Sequence, residues 1–87
     1  VSDVTDDATV ERELAMIKVS ADSSNRSEIL QIVSIFRAKI IDVSERAVII
    51  EVTGDESKVT ALIELLRPFG IKELVRTGKV ALVRTGN

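Results

Sequence analysis

The chain contains no cysteine, histidine, tryptophan or tyrosine. Without cysteine, neither a disulfide nor a thiolate metal site can hold a small fold together, and the composition fits a reducing compartment. Without histidine, the commonest general base and metal ligand is missing. Phe36 and Phe69 are the only aromatics and Pro68 the only proline. The four glycines stand apart from one another, so no phosphate-cradling loop is formed. No apolar run approaches the ~20 residues that a membrane helix needs. No signal peptide is visible, and a start at Val1 rather than Met reads as a piece of a longer protein.

What is present is aliphatic. Of 87 residues, 45% are apolar, nearly all Val, Ile, Leu and Ala, which suffices for one small domain with one modest core. The net charge of −2 is unevenly spread. Asp3, Asp6, Asp7, Glu11 and Glu13 outnumber Arg12 at the front, while Lys72, Arg76, Lys79 and Arg84 outnumber Glu73 at the back. Solvated ends are the plain reading. The sharper one is that the basic end faces an acidic partner surface.

Residues 1–9 are acidic and aperiodic and read as a linker or tail, leaving 10–87 as the domain. Residues 13–20 alternate as a strand. A polar break from Asp22 to Asn25 supplies helix caps, after which Ile29, Leu30, Ile32, Val33 and Phe36 form one apolar stripe ending near Arg37. Residues 38–43 and the β-branched 47–53 are strands joined by a turn at Ser44-Glu45-Arg46. A second helix begins at Asp55 as cap, or through the Thr53/Glu56 capping-box spacing, and shows Val59, Leu62, Ile63 and Leu66 on one side. Pro68 stops it and Gly70 follows in a left-handed turn. Residues 71–76 form a fourth strand, Thr77-Gly78 turns the chain, and 79–84 form a fifth.

The order β-α-β-β-α-β plus one strand predicts an α+β, ferredoxin-like sandwich: an antiparallel sheet with both helices on one face. The first and third strands are expected to be central and parallel. Two helices cover only one face, so the central strands are expected to alternate apolar and polar residues. They do not alternate cleanly. With Ala15, Ile17, Val19, Val48, Ile50 and Val52 turned to the helices, Leu14, Met16, Ala47 and Ile49 fall on the open face. A parallel register sets Met16 beside Ile49 and Lys18 beside Glu51. Exposed apolar patches of this kind mark contact surfaces, so these four residues are the candidate self-association face. Arg76, Lys79 and Arg84, on the expected terminal hairpin, are the candidate partner contact.

The residue types exclude several activities that a sheet with two helices can host. Metal transfer would need a Cys-x-x-Cys pair. Base stacking would need aromatics on strands, and nucleic-acid binding a net basic surface. Acyl-phosphate hydrolysis would need an Arg and an amide around an anion, types present in Asp22-Ser23-Ser24-Asn25-Arg26; plain capping is the simpler account. Arg-Thr-Gly occurs at 76–78 and 84–86, which reads as two similar strand-end turns. No catalytic residue, cofactor site or metal site is assigned.

Specific strings then narrow the reading. Val10-Glu11-Arg12-Glu13-Leu14 with Ile17-Lys18-Val19, and Ile35-Phe36-Arg37-Ala38-Lys39-Ile40-Ile41-Asp42-Val43, resemble the C-terminal half of acetolactate synthase small subunits. Glu51-Val52-Thr53-Gly54-Asp55, Phe69-Gly70-Ile71-Lys72-Glu73-Leu74 and Arg76-Thr77-Gly78 continue the likeness in order. The resemblance implies an ACT-like fold and a non-catalytic regulatory role in branched-chain amino acid synthesis. It implies a catalytic large subunit as partner, using thiamine diphosphate, Mg and FAD, and a homodimer or higher oligomer. The branched-chain effector is expected in an N-terminal ACT domain absent from this sequence. Neither nucleic acid nor membrane is an expected partner; the compartment implied is bacterial cytoplasm, or plastid stroma for a plant source. A free-standing ACT-like ligand sensor is the alternative, opposed by the lack of a Gly-rich loop after the first strand.

Overall fold

The computed structural model describes residues 9–85. The acidic stretch 1–8 and Gly86 of the second Arg-Thr-Gly lie outside the described residues, while Thr9 already stands in a strand. The elements are β1 (Thr9–Ser20), α1 (Arg26–Ile35), β2 (Lys39–Val43), β3 (Ala47–Gly54), α2 (Glu56–Leu66), a 3-10 turn (Arg67–Phe69), β4 (Ile71–Arg76) and β5 (Val80–Val83). The sheet runs β2-β3-β1-β4, and β5 also pairs with β1. This is the expected two-helix, open-sheet α+β architecture.

The relation of β1 to β3 corrects the sequence reading. They are antiparallel, not parallel. The crossover through α1 returns β2 in the direction of β1, and the tight turn at 44–46 then reverses β3. In the resulting register Met16 faces Glu51 and Lys18 faces Ile49. The expected Met16–Ile49 and Lys18–Glu51 pairs are therefore replaced by diagonal ones. Lys18 instead makes its ion pair with Glu73 on β4, at 3.6 Å.

The side-chain parity of the central strands is the expected one. Ala15, Ile17, Val19, Val48, Ile50 and Val52 are buried and meet Ile29, Val33, Val59, Leu62, Ile63 and Leu66 from the helices. Phe36 and Phe69 pack at the margin of this core. Alternation along the strands and three-four spacing along the helices place all these aliphatics in one layer.

The helix ends have identifiable chemistry. Asp55 caps α2, accepting from the backbone N–H of Lys58 at 2.9 Å and from the Ser57 hydroxyl at 2.8 Å. These bonds, the Lys58 N–H first, hold the Asp55 carboxyl below its ordinary range. The Thr53 alternative for the cap is not used. Helix α1 closes differently. Ala38 N–H donates to the Val33 carbonyl and Arg37 N–H to that of Ser34, with Arg37 at φ 55°. This is a Schellman closure with arginine where glycine is usual.

A second correction concerns the C-terminal strands. Thr77-Gly78 does not fold β5 back on β4. Both strands run antiparallel to β1, so they follow one another along the same side of it, with Gly78 at φ 79° between them. The expected hairpin is instead an interrupted strand.

Candidate functional site

The twelve residues of β1 span about 40 Å at the usual rise per residue. Only its later part lies under the helices. Residues Thr9–Arg12 leave the body and, among the described residues, pair with β5 alone, Val10 opposite Leu82 and Arg12 opposite Val80. This two-stranded ribbon explains a molecule 53 Å long but only 20 × 17 Å across.

The ribbon is rooted at one charged cluster. Glu13 is only 4% exposed and accepts from two of the three guanidinium nitrogens of Arg76, Nε at 2.9 Å and Nη2 at 2.7 Å. Arg76 Nη2 also donates to the Thr60 hydroxyl of α2 at 3.1 Å. Beside it, Thr77 N–H donates to the Leu14 carbonyl at 2.9 Å and Leu14 N–H to Thr77 Oγ1 at 3.1 Å. The bidentate bond from Arg76 holds the Glu13 carboxyl below its ordinary value, against the opposing effect of burial, and Glu13 raises Arg76 in return. Sequence reasoning put Glu13 in the acidic leader and missed this pair. Its signal was a carboxylate at the parity of buried Ala15 and Ile17.

Of the candidate partner-contact residues, Arg76 is thus committed within the chain. Lys79 lies 3.9 Å from Glu11 and 3.8 Å from Glu56, and Arg84 is exposed beyond β5. They sit along one side of β1 rather than on a hairpin.

The candidate self-association residues do share the open face, but antiparallel pairing spreads them. Leu14 faces Thr53 toward the ribbon, whereas Ala47 faces Ser20 at the far end. Met16 and Ile49 stay together at the centre, where they line a shallow depression of about 100 Å³ with Lys18, Glu73 and Val75. Val75, opposite Met16 on β4 and 60% exposed, is a member that the sequence reading left out. Its parity with Glu73 was the available clue. At the Ala47 end, Lys18, Arg46 and Lys72 surround a depression of about 350 Å³ with Asp42, Ser44 and Ile49. On the ribbon, Val10, Arg12, Val80, Ala81 and Leu82 line a third, of about 290 Å³. Val10 and Arg12 have the parity of Leu14 and Met16, so the ribbon prolongs the open face.

The loop Asp22-Ser23-Ser24-Asn25-Arg26 is closed on itself rather than open as an anion cradle. Asp22 Oδ1 accepts from Ser24 Oγ at 2.6 Å and from Ser24 N–H at 2.9 Å, which lowers its pKa, the hydroxyl contributing most. Arg26 Nη2 donates to the Ser44 and Glu45 carbonyls at 2.8 and 3.1 Å, tying α1 to the β2–β3 turn. Among the described residues no group of three or more carboxylates could hold a metal ion. No helix among the described residues is long and apolar enough to cross a membrane.

Residues 12–85 match the family described as the small subunit of acetolactate synthase. The acetolactate synthase small subunit of Aquifex aeolicus is 62% identical over 85 residues, covering 97% of this chain and 44% of that protein. The chloroplastic acetolactate synthase small subunit 2 of Arabidopsis thaliana is 57% identical over 84 residues, covering 97% of this chain and 18% of that one. The crystal structure of the Thermotoga maritima acetolactate synthase small subunit superposes with a TM-score of 0.89 at 49% identity, covering 98% of this chain and 52% of that one. The chain thus spans about half the length of its prokaryotic relatives, or less. Backbone and sequence agree across nearly all of it, and the chain belongs to the family of acetolactate synthase small subunits.

Proposed function

We propose that this chain is the non-catalytic C-terminal, ACT-like domain of a regulatory small subunit, acting through protein contacts. The observation that carries the reading is the open sheet face: Met16, Ile49 and Val75 form an apolar centre, with Leu14 toward the ribbon. A second copy of the chain covers this face in a homodimer or higher oligomer. The margin bearing Lys79 and Arg84 meets the catalytic large subunit, whose thiamine diphosphate, Mg and FAD belong to that partner. The branched-chain effector binds an N-terminal ACT domain, and this domain helps to transmit its effect to assembly and activity. The compartment is bacterial cytoplasm or plastid stroma; relatives of both bacterial and chloroplastic description support that pair.

Co-sedimentation of the full small subunit with its large subunit tests the proposal, using Lys79→Glu together with Arg84→Glu. The expected result is weaker association at low salt, with the difference from the parent shrinking as salt rises, and inhibition by the branched-chain effector retained once the complex is saturated. Arg76→Glu is unsuited to this purpose, because it would break the Glu13 pair. Unchanged association at low and high salt would remove this margin from the mechanism.

A further inference from the structure

We propose that β5 is a pairing edge for β5 of a second copy, joining two ribbons into one four-stranded antiparallel sheet. This goes beyond the contacts proposed above, since it uses the backbone edge of β5 and leaves both ribbon faces open to a third chain. A strand edge is a row of N–H and C=O groups, and proteins guard such rows with charges, prolines or bulges. The other edges here are guarded. β2 carries Lys39 and Asp42 with a register shift between Ile40 and Asp42. β4 carries Lys72, Glu73 and Arg76, and the β1–β4 register shifts at Lys18/Val19. The segment of β1 that leaves the body carries Glu11 and Arg12. β5 is Val-Ala-Leu-Val, exposed throughout, with Leu82 79% exposed, and pairs only with β1 among the described residues. It is the one strand edge in the described sheet without a charge, a proline or a bulge.

The same segment is its own complement. A two-fold axis sets a strand antiparallel to its copy with the same face up. Centred on Ala81, the pairing puts Val80 opposite the partner copy's Leu82 and Lys79 opposite its Val83. Centred on Leu82, it puts Val80 opposite Arg84 and Ala81 opposite Val83. Neither register sets a cation against a cation, and Lys79 already has Glu11 and Glu56 beside it. Two strands alone are marginal in water, and a third and fourth make such a ribbon a stable sheet. Val10, Val80 and Leu82 of both copies then form one apolar layer across the depression that they line. Four residues of edge fall short of the roughly 800 Å² per partner of a stable interface, so the pairing is concentration-dependent.

The chain has no native cysteine, so single cysteines report the contact directly. Ala81→Cys, Leu82→Cys and the exposed helix control Ser27→Cys are oxidised at micromolar concentration and disulfide dimers are timed. Paired strands hold the thiols at roughly millimolar effective concentration, so even a weak pairing is expected to make Ala81→Cys or Leu82→Cys cross-link about tenfold faster than Ser27→Cys. Adding Leu82→Lys to Ala81→Cys is expected to abolish the advantage with thermal unfolding unchanged. Adding Met16→Asp is expected to leave it intact, since the open face is not used. Equal rates for all three cysteines overturn the proposal. So does loss of the advantage on Met16→Asp, which would make the contact a by-product of face-to-face association.

Discussion

One strand, β1, runs through two regions that treat aliphatic residues in opposite ways. In the body, Ala15, Ile17 and Val19 are fully buried beneath the helices. In the ribbon, β5 offers Val80, Leu82 and Val83 to solvent. Residue type does not distinguish the regions; cover does. A helix layer stops at the Glu13–Arg76–Thr60 cluster, and beyond it an equally apolar strand pair has no second layer. The body therefore carries the stability, and the ribbon and open face carry the surface available for association. Burial of a large aliphatic contributes roughly 1.5–3 kcal/mol wherever its cover comes from, a helix of the same chain or another protein.

That contrast can be broken at its strong side first. Ile50→Ala empties space between β3 and the helices, where Ile50 is fully buried. A loss of about 2–5 kcal/mol in urea unfolding is expected. A loss below about 1 kcal/mol would mean that the core is not where the structure puts it.

Glu13→Gln is expected to have the next largest effect, a lower thermal midpoint and a weaker acid dependence. Because the Glu13 pKa is lowered in the folded chain, its contribution is fully present above the ordinary glutamate value and is lost as pH falls through the lowered value. Asp22 and Asp55, also lowered, act in the same direction, so the variant removes part of the acid sensitivity. Thermal melts across the acid range check this. An acid slope identical to that of the parent chain would show that the ion pair does not bear on folding.

The smallest expected effect on unfolding lies at the close of α1. Arg37→Gly relieves a left-handed backbone and should stabilise by roughly 0.5–1 kcal/mol after the extra entropy of unfolded glycine is counted. Chemical denaturation resolves a change of that size, and destabilisation would argue for a contact made by the Arg37 side chain.

Much of this arrangement was legible in the sequence, for a physical reason. Periods of 2 and 3.6 reveal which residues point inward, so the core from Ala15 to Leu66 and the two-helix layer could be read from spacing. Strand direction and register are different quantities. They depend on where the chain reverses, and Ser44–Arg46 had to be followed through the whole connection to make β3 antiparallel to β1. That one step moved Lys18 from Glu51 to Glu73 and separated Leu14 from Ala47. Thr77-Gly78 misled similarly, since a glycine at positive φ serves a strand interruption as well as a reversal. Glu13 was hidden by composition: among acidic neighbours it looked solvated, and only the arrival of Arg76 from 63 residues away explains its burial.

Sedimentation equilibrium of Met16→Asp beside the parent chain tests the central claim most directly. Met16 is 38% exposed at the middle of the open face, so the new carboxylate remains hydrated in the monomer and meets an apolar surface only in the complex. The account predicts association weakened by at least about tenfold, equivalent to 1.4 kcal/mol, and a smaller loss in urea unfolding, since the new carboxylate faces Glu51 across the β1–β3 pair. A parent chain that stays monomeric at high concentration, or a Met16→Asp chain that associates equally well, would contradict it.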